Sequence, residues 1–331
     1  MKIIYLILYW IGRLEFEWFG STNKYSYLAF RQLHGLTNGG INESYSRQIS
    51  GKKGKYEFPE ITKGILGAMD SSDINEIVSW VRRNGYLVFD RKLPEEICDR
   101  MLAKINDMPS NPIVEGGKLP KTTYDSAYPK APIYRFDEED ILANNDILGI
   151  FYDLNFIRIA QEYLGCKPLN NSIIMWWSSL LNKAASSRAA QLYHFDMDHP
   201  KFIKFFIYLT DVDTNSGPHC YVQGTHRSKH SNLIKDRRYS DEEILDSFES
   251  SDIIEVLGSK GTVVAVDTSG IHKGKLPTQK DRLIIQVEYT NSFFGQKVMN
   301  PDVAELPKFE DPEIRKMYKE VLRRLRVANH V

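Results

Sequence analysis

Cysteine is scarce in this chain, with three residues, Cys98, Cys166 and Cys220, among 331. They are odd in number, far apart and form no Cys-x-x-Cys pair, which speaks against both a zinc ribbon and a disulfide framework. The simpler reading is a reducing compartment, so the expected location is cytoplasmic. An excess of charge of either sign is also missing: 43 Lys and Arg stand against 43 Asp and Glu. Such a balance offers no electrostatic footprint for nucleic acid and none for a polyanionic membrane face, although a total averages out local clusters. Long apolar runs are absent too. The stretch Ile3 to Ile11 is apolar, but a bilayer span needs about 20 such residues. No small-x-small cleavage site follows it promptly, as a secretory signal would require. It reads as a packed strand or helix, with an interfacial anchor as the lesser alternative. No stable membrane insertion and no nucleic-acid partner are expected.

What is present suits an ordinary globular core, with 42% hydrophobic and 26% charged residues. Residues 1–70 show no sustained period and read as an N-terminal extension, partly loop. Asp73-Ile-Asn-Glu76 has the form of a capping box with Asp73 at the N-cap. Ile74, Ile77, Val78 and Val81 follow at helical spacing, and Gly85 is a natural C-terminal stop. Tyr86 to Phe89 reads as a short strand. Pro94 suits the first residue of a second helix, with Ile97, Met101, Leu102 and Ile105 inward. Residues 141–164 carry one or two more helices, ending at Gly165. From Ser172 the pattern changes to short apolar strands: Ile173 to Trp177, Ile203 to Leu209, Thr262 to Val266 and Leu283 to Tyr289. Helices first and antiparallel strands later predict an α+β fold with a double-stranded β-helix, or jelly roll, as its core. The main domain is set at 71–300, and residues 301–331 form a C-terminal helical segment, with a basic amphipathic helix from Asp311 to Val327.

The chemistry concentrates at Gln191-Leu-Tyr-His-Phe-Asp-Met-Asp198. In an extended segment His194 and Asp196 share one face, because side chains repeat every two residues, and Phe195 points the other way. His272 follows the apolar run Gly261 to Asp267, and Arg282 comes ten residues later, on a strand expected to pair back in a hairpin-like unit. Two imidazoles and one carboxylate leave three positions open on a metal, the arrangement of non-haem Fe(II) that binds a co-substrate and O2 together. A guanidinium nearby suits a dicarboxylate such as 2-oxoglutarate. Asp198 rivals Asp196 as the carboxylate. His199, His219, His226 and His230 crowd the same region and read as surface or supporting groups, His219 being the most interesting.

Several segments together resemble the phytanoyl-CoA dioxygenase family of Fe(II)/2-oxoglutarate oxygenases. They are Asn84-Gly-Tyr-Leu-Val-Phe89 with Leu93-Pro-Glu-Glu-Ile-Cys98, Tyr163-Leu-Gly165, His194-Phe-Asp196 and Leu209-Thr-Asp-Val-Asp213. Asn215-Ser-Gly-Pro218, Gln223-Gly-Thr-His-Arg227, Gly261-Thr-Val-Val-Ala-Val-Asp267, His272 and Arg282 complete the set. Gln223 stands where the family has proline. The resemblance implies that His194, Asp196 and His272 ligate iron and that Arg282 holds the distal carboxylate of 2-oxoglutarate. It further implies that Gln191 touches the metal-proximal end of the co-substrate. Lys204 or Tyr208, on the next strand, would add a second distal contact. A carboxylate at 196 implies hydroxylation or another oxidation rather than halogenation. The expected partner is a small-molecule or lipid-like substrate. Trp176, Trp177, Tyr193, Phe205 and Phe206 are candidates for its pocket, and Lys130, Arg135 and Lys201 for meeting an anionic group. The rival readings are a jelly-roll metalloenzyme without 2-oxoglutarate and a non-catalytic binding protein of the same fold.

Overall fold

The computed structural model describes residues 2–114, 117–181, 185–187, 189–303 and 310–327. Three helices come first, α1 (Lys2–Phe19), α2 (Lys24–Thr37) and α3 (Gly40–Lys53). A small ribbon, β1 (Thr62–Gly64) and β2 (Gly67–Met69), leads to α4 (Ser71–Asn84), β3 (Tyr86–Val88) and α5 (Glu95–Ile105). Next are β4 (Asn111–Val114), β5 (Gly117–Lys118) and β6 (Ile133–Arg135), then α6 (Glu138–Leu142), α7 (Asn145–Phe151) and α8 (Leu154–Leu164). The strands β7 (Leu169–Ser178), β8 (Phe202–Tyr208) and β9 (His219–Val222) precede α9 (Asp241–Leu245). The chain continues through β10 (Ile253–Val256), β11 (Val263–Val266), β12 (His272–Gly274) and β13 (Arg282–Thr290). It ends with β14 (Asp302–Val303), α10 (Pro312–Val321) and β15 (Arg326–Val327).

Two antiparallel sheets make the jelly roll. The larger has the order β3-β11-β8-β13-β7-β6-β4-β5, and the smaller β10-β9-β12. The period of two along β8 sorts its side chains between two cores, because both faces of this sheet are covered. Ile203, Phe205 and Ile207 pack towards the helices, in the same cluster as Ile74 of α4, Met101 of α5 and Phe156 of α8. Phe206 and Tyr208 turn to the layer between the sheets, meeting Tyr221, Val256, Val264 and Ile284. A third cluster lies on the outer side of the smaller sheet. There Phe195, Val222 and Ile271 meet Tyr9, Phe30 and Leu33 of the first two helices. The Phe294 ring is enclosed by Tyr9, Phe30 and Tyr45 at centroid distances of 5.9, 5.4 and 5.3 Å.

The structure departs from the sequence expectations at four places. Residues 1–70, read as having no sustained period, are helical over most of their length, with loop between the helices and before β1. In α1 the period is hidden because the exposed face is apolar while Arg13 is among the buried residues. The cap of α4 is Asp70, which accepts from the Ser72 and Asp73 amides, and Asp73 occupies the third helical position in the box. The chain around 70–76 offers acidic residues at threefold spacing, so the box forms one step earlier than expected. The C-terminal helix stops at Val321, and Arg326–Val327 pair in parallel with β14. Residues 304–309 and 328–331 lie outside the described residues. Finally, the strand of Arg282 does not pair with that of residues 262–266: β8 lies between them, bonded to both.

Gly85 ends α4 with φ +90°, and a Cβ there would strike the Tyr221 hydroxyl and approach His226 Nδ1 at 2.7 Å. Its amide donates to Val81. Gly85→Ala is expected to cost about 1–3 kcal/mol through the left-handed backbone and the clash. A shift of the urea unfolding midpoint measures it, and an unchanged midpoint would refute the claim.

Candidate metal centre

Backbone pairing brings the two imidazoles together. The segment at His194 adds to the free edge of β12 through two mutual bonds: the His194 amide donates to the His272 carbonyl (2.9 Å) and the reverse (2.8 Å). The ring centroids then lie 4.3 Å apart. Each ring accepts its orientation from its own chain. Nδ1 of His194 bonds the Leu192 carbonyl at 2.9 Å, and Nδ1 of His272 the Gly270 carbonyl at 2.9 Å. Those bonds put the hydrogen on Nδ1 and leave each Nε2 with a free lone pair, as a metal-ligating imidazole requires. Asp196, one extended step beyond Phe195, is fixed by its amide donating to Thr268 at 2.8 Å. Its Oδ1 is 3.7 Å from His194 Nε2 and its Oδ2 3.6 Å from His272 Nε2. One donor atom from each of the three lies within 4.8 Å of the others. Metal–ligand bonds of about 2.0–2.2 Å place adjacent ligands about 3 Å apart, so the set fits a single ion after small shifts.

The electrostatics fit as well. Burial pushes the His194 imidazole down to about 3, with His272 adding to the effect, and burial also lowers His272. Both are therefore neutral donors at pH 7. Burial would raise Asp196, but Lys204, His272 and His194 together hold its carboxyl well below the usual carboxylate range.

Lys204 is the residue whose role differs most from expectation. Only 4% exposed, it donates to Asp196 Oδ2 and to Asp198 Oδ2 at 2.8 Å each. Glu288 Oε2 lies 3.7 Å away, and its other oxygen accepts from Asn171 at 3.1 Å. The register sets this up, since Lys204 and Glu288 are directly opposite on β8 and β13. Burial opposes the charge on Lys204, yet Asp196 and Asp198 raise it well above its ordinary value. Burial pushes Glu288 up to about 8 against the pull of Lys204. The lysine thus serves the carboxylate of the triad and is not placed on the Arg282 side. Asp198, the rival carboxylate, is turned to Lys204. Removing one partner of a buried ionic cluster leaves uncompensated charge. Lys204→Met is therefore expected to lower the stability of the metal-free protein by about 3–5 kcal/mol, read from chemical denaturation. A loss under 1 kcal/mol would show that the cluster behaves as a solvated one.

A cavity of about 1080 Å³ opens over the triad. Arg282 forms part of its wall and is fully withdrawn from solvent, 4% exposed. Its Nη1 donates to the Gly217 carbonyl and its Nη2 to Ser178 Oγ at 3.5 Å, while Nε has no partner. His219 stands between the triad and the arginine side, 5.2 Å from the His272 ring and 5.1 Å from Phe206, with Nε2 unpartnered. Burial holds it well below the usual imidazole range.

Other expected residues are placed elsewhere. Gln191 is buried and its Oε1 accepts the Ser186 amide at 2.9 Å. The Tyr208 hydroxyl donates to the Val256 carbonyl at 2.8 Å. Neither is among the described residues lining the cavity, whereas Trp176, Phe206 and Arg135 are. Trp177 stacks on Tyr124 at 4.8 Å and Phe205 on Phe156 at 4.3 Å, inside the core. Tyr193 belongs to the cluster beneath the smaller sheet. Lys201 lies over the Tyr163 ring at 4.7 Å, and Lys130 is exposed. His199 and His226 bond the Phe294 and Arg82 carbonyls, and His230 packs on Phe248. Sequence reasoning missed Glu288 and Asn171. The available signal was a lone acid inside the apolar run of β13, which parallels the lone lysine inside β8.

A jelly roll whose sheets enclose two neutral imidazoles and an aspartate, facing an open cavity, defines a mononuclear non-haem metal enzyme. The chain belongs to the phytanoyl-CoA dioxygenase (PhyH) family, whose match runs over residues 81–282, and so to the Fe(II)/2-oxoglutarate-dependent oxygenases. No curated protein matches its sequence. Among solved structures it is similar to AviO1 from Streptomyces viridochromogenes Tue57 (16% identity, 67% of this chain and 96% of that one, TM-score 0.44). Another is the epimerase SnoN in complex with Fe3+, alpha ketoglutarate and nogalamycin RO (15% identity, 67% and 84%, TM-score 0.47). HygX from Streptomyces hygroscopicus, with nickel, 2-oxoglutarate and hygromycin B bound, is a third (14% identity, 68% and 90%, TM-score 0.45).

Proposed function

We propose that this protein is an Fe(II)- and 2-oxoglutarate-dependent dioxygenase that hydroxylates an unactivated C–H bond of a small molecule in the cytoplasm. The observation that carries the reading is one cavity with the His194–Asp196–His272 set on one wall and a buried arginine on another. Bound there with 2-oxoglutarate, iron would supply the oxidising power for C–H cleavage by O2, with release of succinate and CO2. His194 and His272 would offer Nε2, held in aim by the carbonyls of Leu192 and Gly270. Asp196 would offer a carboxylate oriented by Lys204. Arg282 would hold the distal carboxylate of the co-substrate by a charge-assisted pair, with the unpartnered Nε available to take part. Trp176 and Phe206 are apolar surfaces of the same wall, and Asn171, Gln286 and Glu288 are polar ones. That mixture favours a substrate with hydrogen-bonding groups over a bare hydrocarbon chain. Three buried, unpaired cysteines agree with a reducing compartment.

An anaerobic titration tests the assignment. Fe(II) followed by 2-oxoglutarate is expected to produce a weak visible absorption band that needs both additions. A featureless spectrum at saturating amounts of both would remove 2-oxoglutarate from the site and favour the jelly-roll metalloenzyme that uses none.

A further inference from the structure

Helix α1 is built inside out. Its buried residues are Tyr9, Gly12 and Arg13. The Arg13 guanidinium lies 3.9 Å from the Tyr45 ring centroid and donates to Gln48 Oε1 at 3.0 Å. The opposite face carries Ile3, Ile7, Trp10, Leu14 and Trp18, exposed by 72, 54, 53, 58 and 81%. These positions recur at four, three, four and four residues, one continuous stripe along the helix. Phe19 and Tyr25, 77 and 71% exposed, extend it around the corner between α1 and α2. A contiguous apolar surface of this kind on a folded protein marks an interaction site. No helix among the described residues is long and apolar enough to cross a membrane.

We propose that this surface seats the protein on an anionic lipid membrane, with α1 lying in the head-group layer. The residue mix is that of an interfacial helix: aliphatic residues with Trp10 along the stripe, and Trp18, Phe19 and Tyr25 towards one end, aromatic rings being stable at a water–lipid boundary. Charge distinguishes lipid from a second copy of the chain. Residues 1–55 hold eight Lys and Arg against three Glu, although the whole chain is neutral. Arg31 and Lys55 are paired with Asp236 and Glu162, and Arg47 and Arg13 with Glu43 and Glu17, so the cations left beside the stripe are the exposed Lys2 and Lys24. Two copies meeting through the stripe would bring these like charges together, whereas anionic head groups complement them. Glu17, at the edge of the stripe, is turned to Arg13 at 4.0 Å. The seat also has a meaningful position. At the α1–α2 corner, Thr22 Oγ1 accepts the Gly295 amide at 3.0 Å, and Tyr27 donates to the Met197 carbonyl at 3.0 Å. The next residues on both segments, Gln296 and Asp198, line the cavity, and the Gln296 amide donates to the Asp198 carbonyl at 2.7 Å. A membrane under the corner would therefore lie beside this wall of the cavity, and the enzyme would act on molecules held at a lipid surface. The docking claim stands independently of the metal chemistry.

The test uses the full chain with vesicles of phosphatidylcholine, with and without phosphatidylglycerol. Co-sedimentation is expected with the anionic vesicles, weakening as salt is raised and when the anionic lipid is omitted. The double variant Ile7→Glu, Leu14→Glu should bind at least about tenfold more weakly, with an unchanged circular dichroism spectrum. Brominated lipids should quench the tryptophan emission of the unaltered protein, a readout that does not depend on the variant folding. Absence of vesicle binding, or binding that the double variant retains, would overturn the proposal. So would a dimer in light scattering that the same substitutions dissociate, since the stripe would then belong to a second copy.

Discussion

His272→Ala abolishes 2-oxoglutarate turnover while the protein stays folded: this is the largest effect expected. The bonds that join the strand of His272 to His194 are backbone bonds and survive the substitution. The ring itself borders the cavity and packs against His194 and His219, so its loss enlarges a space that already exists. What disappears is one of the three donor atoms grouped at the site. The remaining pair, His194 and Asp196, would bind iron weakly and in the wrong geometry, and Asp198 is not grouped with them. Loss of several kcal/mol of metal-derived barrier lowering corresponds to a fall of at least about a thousandfold in turnover. Metal content and 2-oxoglutarate consumption measure it, with His230→Ala as the control that leaves both unchanged. Wild-type turnover in the His272 variant would refute the ligand assignment.

Arg282→Ala should raise the KM for 2-oxoglutarate about a hundredfold, with a smaller change in kcat. Arg282 is buried without a carboxylate within ion-pair reach among the described residues, and burial lowers its pKa. A buried guanidinium satisfied by one carbonyl and one distant hydroxyl is a costly group to keep for stability alone. Removing it should therefore leave folding stability unchanged or improved while co-substrate binding is lost. Arg282→Lys retains charge without the planar fork and should recover only part of the affinity. An unaltered KM in the alanine variant, or a collapse of stability in place of a binding defect, would mean that the arginine is structural. The paired readout separates the two roles, since a structural arginine moves the unfolding midpoint and a binding one moves the KM.

The jelly-roll strands were legible because each is a short apolar run between turn signals, and such runs depend on local composition. The pairing between them was not. Arg282 was expected on a strand beside residues 262–266, but β8 intervenes, and nothing local records which distant strand supplies the middle of a sheet. The period of two along β8 was visible, yet it gives the same pattern whether the second face meets solvent or another sheet. For that reason Lys204 read as a candidate for the co-substrate, and only the register against Glu288 and the approach of Asp196 show what it touches. The N-terminal helices were missed for the opposite reason. Amphipathic periodicity needs one polar face, and α1 has apolar residues on the outside and its arginine within.

Residue types and their order were enough to single out the groups proposed for the chemistry: two imidazoles, a carboxylate and a guanidinium embedded in strand-forming sequence, with cysteine too sparse and scattered for a zinc ribbon or a disulfide framework. Geometry had to come from folding. The distance between His194 and His272, the placing of Lys204 opposite Glu288, and the exposure of the α1 stripe all depend on contacts between segments far apart in the chain. Local sequence sets the backbone preferences and the direction of each side chain along its own strand or helix, while the free energy that selects one strand neighbour over another resides in burial shared with residues a hundred positions away.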